Sequence, residues 1–293
     1  IWDAAPYFER VTELWETAQS WIAVVGWQLD SRLKIPSAKA RSVNTLTSQP
    51  WETLREKVLR LCATKPNLRF YLLLWDHPWF YVAEREWLQT RIWEELHPRV
   101  HLVFDNRHPF GASHHEKLIL VDGERALIGS VDLCGDRWDS PAHLVHDPAR
   151  SLAHDSESHG PYHELAIELS GPVCASITQH VASRWTQLSS VPFPEPRPIS
   201  LRKKQEHFTA HLSRTYSPLE PPIIREVEHL FCTLITNARS KIWMEGQYFW
   251  SPMIQRALLK RMLTHIKSPT SPLEITLVLS DDLELRGLSS QLR

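Results

Sequence analysis

The segment from Lys117 to Ile128 constrains the fold more than any other stretch of the chain. Lys117-Leu118-Ile119-Leu120-Val121 is apolar after its first residue and partly β-branched, Asp122-Gly123 follows, and Ala126-Leu127-Ile128 resumes the apolar run. Two such runs around an Asp-Gly pair predict a β-hairpin with an Asp-Gly turn. Residues i and i+2 of a strand face the same way, so His115 and Lys117 project together, and Asp122 falls on the opposite face from Lys117. His115 and Lys117 are therefore the pair able to meet a ligand. Asp122 is assigned to the turn, as a hydrogen-bonding or ion-pairing residue.

From His115 to Asp122 the chain spells H-x-K-x-x-x-x-D, and Gly129-Ser130-Val131-Asp132 follows past the turn. Cleaving a phosphodiester requires a nucleophile, donors for the non-bridging oxygens, and an acid for the departing alkoxide. A neutral imidazole can attack phosphorus to give a phosphohistidine, and a lysine ammonium can hold the equatorial oxygens without a metal ion. A bare H-x-K is usually a surface or core pair. The hairpin and the Gly129-Ser130 segment in register with it reverse that reading here.

These residues resemble the phospholipase D superfamily, and further pieces extend the resemblance over most of the chain. Trp21 to Ser31 looks like the first strand of the lipid-active bacterial members, and Gly129 to Asp139, with Arg137-Trp138-Asp139, looks like the segment after their first motif. Pro161-Tyr162-His163-Glu164, followed by Leu169-Ser170-Gly171-Pro172, resembles their P-W-H-D and later G-P; Glu245-Gly246-Gln247-Tyr248-Phe249 resembles their E-N-Q-Y-F. The resemblance implies that His115 is the motif histidine, acting as nucleophile or else as acid. It makes Lys117 the motif lysine, and Ser130 and Asp132 the phosphate-contact positions. Glu164, seven residues before Gly171, becomes the carboxylate that orients His115, where the family more often has Asp. Gln247 is expected to line the pocket from the second half.

A repeat organises the rest of the chain. Ala18 to Gly26 lines up with Ala238 to Gly246, and Leu68 to Asp76 with Leu273 to Asp281, each unit reading strand, helix, strand. The predicted architecture is α/β, a phospholipase D-like mixed sheet flanked by helices and repeated as two pseudo-symmetric units, the second incomplete. Residues 1–190 form the first unit with the motif, 191–219 a Pro-rich and basic connector, and 220–293 the start of the second unit. An equivalent of His115 in that second unit would fall past Arg293, and the first residue is Ile1 rather than Met, so the sequence reads as a fragment of a longer protein. The alternatives are a single-motif protein that dimerises to complete its site, or one whose second half has decayed. Family members place two motifs face to face, so the full chain is expected to act as a monomer whose halves share one site.

Composition narrows the partners. Net charge is −1 at pH 7, without the basic surface that nucleic-acid binding usually brings, and Arg202-Lys203-Lys204 reads as a solvated linker face. No nucleic acid is expected. No apolar run approaches the roughly 20 residues of a membrane span, which suits a soluble or peripheral protein. The thirteen tryptophans include Trp75 and Trp79 in an aromatic run with Phe80 and Tyr81, which either packs internally or meets a lipid interface. Cys62, Cys134, Cys174 and Cys232 lack C-x-x-C spacing and read as isolated thiols. His154, Asp155, Glu157, His159 and His163 crowd one polar segment, yet match no H-E-x-x-H pattern and read as loop residues rather than a zinc site. No cofactor is expected. The implied activity is cleavage of a phosphatidyl substrate at a membrane surface, with water giving phosphatidate and an alcohol giving phosphatidyl transfer. A nuclease of the same superfamily, or a non-catalytic lipid- or phosphate-binding module, is the alternative.

Overall fold

The computed structural model describes residues 1–36, 51–76, 86–153, 159–195, 208–218, 222–246, 248–267 and 272–279. The chain divides into two compact units, Ile1–Leu212 and Ser213–Arg293. In the first, α1 (Ala4–Thr17) leads to β1 (Trp21–Gly26), a short pair β2 (Lys34–Pro36) and β3 (Trp51–Thr53), α2 (Leu54–Thr64), β4 (Arg69–Trp75), α3 (Gln89–Glu94) and β5 (Val100–Asp105). The hairpin β6 (Lys117–Val121) and β7 (Arg125–Gly129) follows, then a 3-10 turn at Gly135–Arg137, α4 (Pro148–Ala153), β8 (Ala166–Ser170) and α5 (Val173–Trp185).

Six strands form one mixed sheet in the order β5-β4-β1-β6-β7-β8. β1 runs parallel to β4 and β4 to β5, whereas β6, β7 and β8 are joined antiparallel, with β6 antiparallel to β1. All six residues of β1 and all five of β6 are buried, as continuous apolar runs require when both faces of a sheet are covered. Alternation sorts their side chains by face. Ile22, Val24, Ile119 and Val121 pack with Tyr7, Phe8, Val11 and Trp15 of α1 and Leu54, Val58 and Leu61 of α2. Trp21, Ala23, Val25, Leu118 and Leu120 pack on the other side with Cys174, Ile177, Val181 and Trp185 of α5. The sheet is thus a middle layer between α1 with α2 and α5, the mixed α/β arrangement read from the sequence.

The predicted hairpin is present, with Lys117 paired to Gly129 and Val121 to Arg125. Asp122 (φ 53°) and Gly123 (φ 70°) both have positive φ, and Glu124 N–H donates to Val121 O at 3.0 Å, the geometry of a type I′ turn. The Asp122 carboxylate accepts from the backbone N–H groups of Gln19 and Ser20 at 2.8 Å and of Trp21 at 2.9 Å. Asp122 therefore ties the turn to the start of β1.

The second unit contains the two-residue strands β9 (Thr215–Tyr216) and β10 (Ile224–Arg225), then α6 (Glu226–Asn237), β11 (Lys241–Gly246), α7 (Pro252–Lys267) and β12 (Glu274–Leu279). β11 and β12 are parallel, Lys241 opposite Glu274, around a small core of Ile235, Ile242 and Leu258. Among the described residues no helix is long and apolar enough to cross a membrane.

Close approach of β7 to β8 makes a demand at Gly129. A Cβ there would lie 2.7 Å from Ala166 Cβ and 2.8 Å from Leu165 O, closer than real side chains tolerate. Gly129→Ala is expected to destabilise the first unit by about 1–3 kcal/mol through overpacking, read as a lower urea midpoint at unchanged slope. An unchanged midpoint would mean that the two strands are not so close.

Candidate active site

Lys117 opens β6 and is 4 % exposed, so its ammonium needs partners inside the fold. It has them: Nζ lies 3.0 Å from Asp132 Oδ2, donates to His115 O at 3.1 Å, and sits 5.9 Å from the centre of the Trp27 ring. Burial lowers the Lys117 pKa, and the Asp132 charge opposes that shift. The other Asp132 oxygen accepts from Trp27 N–H at 2.9 Å and Gln28 N–H at 3.2 Å. Asp132 was expected to line a phosphate subsite. It is buried with both oxygens engaged, one of them on Lys117.

His115 precedes the strand and is exposed, its ring 5.8 Å from that of Trp27, which in turn stacks on Trp75 at 5.4 Å. Although the side chain reaches solvent, the surrounding protein lowers its pKa by desolvation first, and the Lys117 and Arg137 charges add to the effect. A neutral imidazole beside a buried ammonium is a nucleophile next to an anion-stabilising group.

Beneath His115 lies a set of charges that the sequence did not single out. His114 Nε2 lies 3.3 Å from Asp105 Oδ1, and Asp105 Oδ2 accepts from Arg184 Nε at 2.8 Å and from its Nη2 at 2.7 Å. Arg184 also pairs with Glu116, whose carboxylate lies 3.1 Å from His180 Nε2. Burial alone would raise the Asp105 pKa, but the His114 hydrogen bond and the Arg184 charge outweigh it and hold the carboxyl well below the usual range. These contacts anchor the residues on either side of His115 to β5 and α5. Alternating His114/Glu116 against His115/Lys117 was the available signal, since odd and even positions face apart.

Glu164 and Ser130 adjoin one another. The Ser130 hydroxyl accepts from Leu165 N–H at 3.3 Å, and its one proton is shared between Leu165 O at 3.2 Å and the Glu164 carboxylate as alternative acceptors. Burial raises the Glu164 pKa, and Ser130 and Tyr162 oppose the rise. The described contacts of Glu164 are with these neighbours rather than with the His115 ring. Arg137, quoted above only as part of Arg-Trp-Asp, sits 5.3 Å from the Tyr162 ring centre and supplies a second cation near His115. Gln247 lies outside the described residues, as do Trp79, Phe80, Tyr81, His154, Asp155, Glu157 and Arg202-Lys203-Lys204. Trp75 is buried and donates from Nε1 to His108 Nε2 at 2.8 Å, so this member of the aromatic run serves packing. His163 meets Asp3 at 2.8 Å, and Asp3, His143 and His163 offer donor atoms within 4.8 Å of one another. All four cysteines are free thiols.

No family model matches the chain. Among curated proteins it is 23% identical over 208 residues to phospholipase D C of Dictyostelium discoideum, covering 62% of this chain and 12% of that protein. It is likewise 23% identical over 237 residues to phospholipase D zeta 2 of Arabidopsis thaliana, covering 70% of this chain and 22% of that protein. The chain thus spans less than a quarter of the length of either relative. Among solved structures, phosphatidylserine synthase of Haemophilus influenzae superposes with a TM-score of 0.52 at 12% identity, over 95% of this chain and 60% of that one, a likeness of fold.

Removing Asp132 leaves a buried ammonium without its counter-charge. Asp132→Ala is expected to cost about 3–5 kcal/mol in chemical denaturation, and adding Lys117→Met to it is expected to recover most of that loss. A neutral single substitution would contradict the pairing.

Proposed function

We propose that this chain, which is related to the phospholipase D superfamily, carries one half of a phosphodiesterase site acting on glycerophospholipids. The observation that carries the reading is the exposed imidazole of His115 beside the buried, Asp132-paired ammonium of Lys117 on one strand. His115 attacks phosphorus, the bond from phosphorus to the head-group oxygen breaks, and a phosphohistidine forms. A general acid, which the family resemblance implies to be a second motif histidine, protonates the departing alkoxide. Water or an alcohol then displaces the phosphatidyl group from His115, giving phosphatidate or a phosphatidyl-alcohol.

Two features support this division of roles. The lowered His115 pKa keeps its imidazole neutral near pH 7, as a nucleophile requires and a general acid does not. Of the three Lys117 N–H groups, Asp132 and His115 O engage two, which leaves one for a phosphate oxygen. Glu164 is assigned to orient His115 on its place beside Ser130 and within electrostatic reach of Lys117, and Ser130 to the phosphate. The parallel pairs β1/β4 and β11/β12, which begin at the aligned positions Trp21↔Arg69 and Lys241↔Glu274, support the reading of residues 1–190 and 220–293 as related units joined by 191–219. A net charge of −1 favours a lipid over a nucleic acid as the phosphodiester.

His115→Ala in the complete protein is expected to abolish release of phosphatidate from phosphatidylcholine vesicles, and retained turnover would refute the assignment. DNA cleavage without lipid turnover would select a nuclease instead. In the same assay kcat/KM reports the free enzyme's base, which must be unprotonated. Because the His115 pKa is lowered from 6.5, the acid limb should lie below that value. A limb above pH 6.5 would contradict the placing of His115 as nucleophile.

A further inference from the structure

The geometry points to a zinc-type metal site at Asp3, His143 and His163, a role separate from the phosphodiesterase chemistry proposed for His115 and Lys117. The three residues come from distant parts of the first unit: the turn before α1, the loop before α4 and the segment entering β8. Asp3 is 3 % exposed and bridges the two imidazoles, with Oδ1 2.8 Å from His163 Nδ1 and Oδ2 3.3 Å from His143 Nε2. Oδ1 also accepts from Glu164 N–H at 3.1 Å. No lysine or arginine pairs with Asp3 among the described residues, so this buried carboxylate faces only imidazoles and backbone.

The placement of His143 supports a metal site. Its Nδ1 lies 2.8 Å from Asp139 Oδ2, and Asp139 is fully buried and otherwise accepts from Arg150 Nη2 at 2.8 Å, Arg150 Nε at 3.2 Å, Tyr162 N–H at 2.8 Å and Ser140 N–H at 2.9 Å. A carboxylate so placed holds His143 by Nδ1 and turns Nε2 toward Asp3 Oδ2 at 3.3 Å, so that with His163 Nδ1 three potential ligand atoms from distant segments converge within 4.8 Å of one another. The Asp139–His143 contact is the carboxylate–histidine pairing that orients metal-bound imidazoles. Two donors each about 2.05 Å from a tetrahedral zinc lie about 3.3 Å apart, close to the separation of His143 Nε2 and Asp3 Oδ2.

Two nitrogens and one carboxylate suit a divalent transition metal such as zinc, and leave a coordination position for water. The ion would clasp the turn before α1 to the segment that carries Tyr162 and Glu164, already joined by the Trp2↔Leu165 bridge and by Asp3 N–H donating to Glu164 O at 2.8 Å. Its role is therefore to fix the wall of the site in which Glu164 stands.

The test is zinc binding by the chelator-stripped chain, measured by competition with a chromophoric chelator and by the melting temperature with added Zn²⁺. One equivalent should bind and raise the melting temperature. His143→Ala and His163→Ala should each weaken binding by about 100-fold or more, since each loses a ligand rather than the outer partner whose removal costs about 10–100-fold. His211→Ala, at an exposed histidine outside the cluster, should leave the affinity unchanged, and far-UV circular dichroism checks that each variant is folded. His163 is nearly half exposed, so its replacement keeps the test decisive should His143→Ala fail to fold. Absence of stoichiometric zinc binding, or binding that survives loss of His163, would overturn the inference.

Discussion

The strand β6 is the constraint on which the rest of the first unit depends. Covered on both faces, it cannot slip by one residue without exchanging its two sets of core contacts, and each of its ends is fixed by a buried charge. At the C-terminal end Asp122 gathers three backbone N–H groups from the start of β1. At the N-terminal end Lys117 is held by Asp132, whose other oxygen is held by the backbone after β1. The two motif charges thus set the register of β1 against β6 from opposite ends, and the position of His115 follows from that register.

The arrangement is costly by the measure of stability alone. Withdrawing an ammonium and a carboxylate from water carries a desolvation penalty that their attraction does not clearly repay, and apolar residues of similar volume would serve the core as well. What the pair provides is an ammonium fixed in place beside an accessible imidazole. The same economy of placement holds below the site, where Asp105, Arg184, Glu116, His114 and His180 partner one another and leave His115 as the motif side chain turned toward solvent.

Much of this was legible in the sequence, for local reasons. The hairpin, its Asp-Gly turn, the shared face of His115 and Lys117 and the scaffold role of Asp122 depend on spacing along one strand and on the conformations that Asp and Gly accept. What spacing could not give was the partner of each charge. Asp132 reads as a ligand residue from its place after Gly129-Ser130, and spacing gives no sign that its carboxylate meets Lys117 and two N–H groups of the backbone just after β1. Glu164 sits at the expected position but contacts Ser130 and Tyr162. His163 reads as one of a polar run of histidines, and its actual neighbours, Asp3 and His143, lie far away in sequence. Each of these depends on chain segments brought together only by the packed sheet.

Whether His115 and Lys117 together receive a phosphoryl group can be read from a crystal structure of the complete protein grown with inorganic phosphate. An anion is expected within hydrogen-bonding distance of the His115 ring and Lys117 Nζ, with the Lys117–Asp132 pair intact. Phosphate held elsewhere, or a site in which His115 and Lys117 make no contact with the anion, would contradict it.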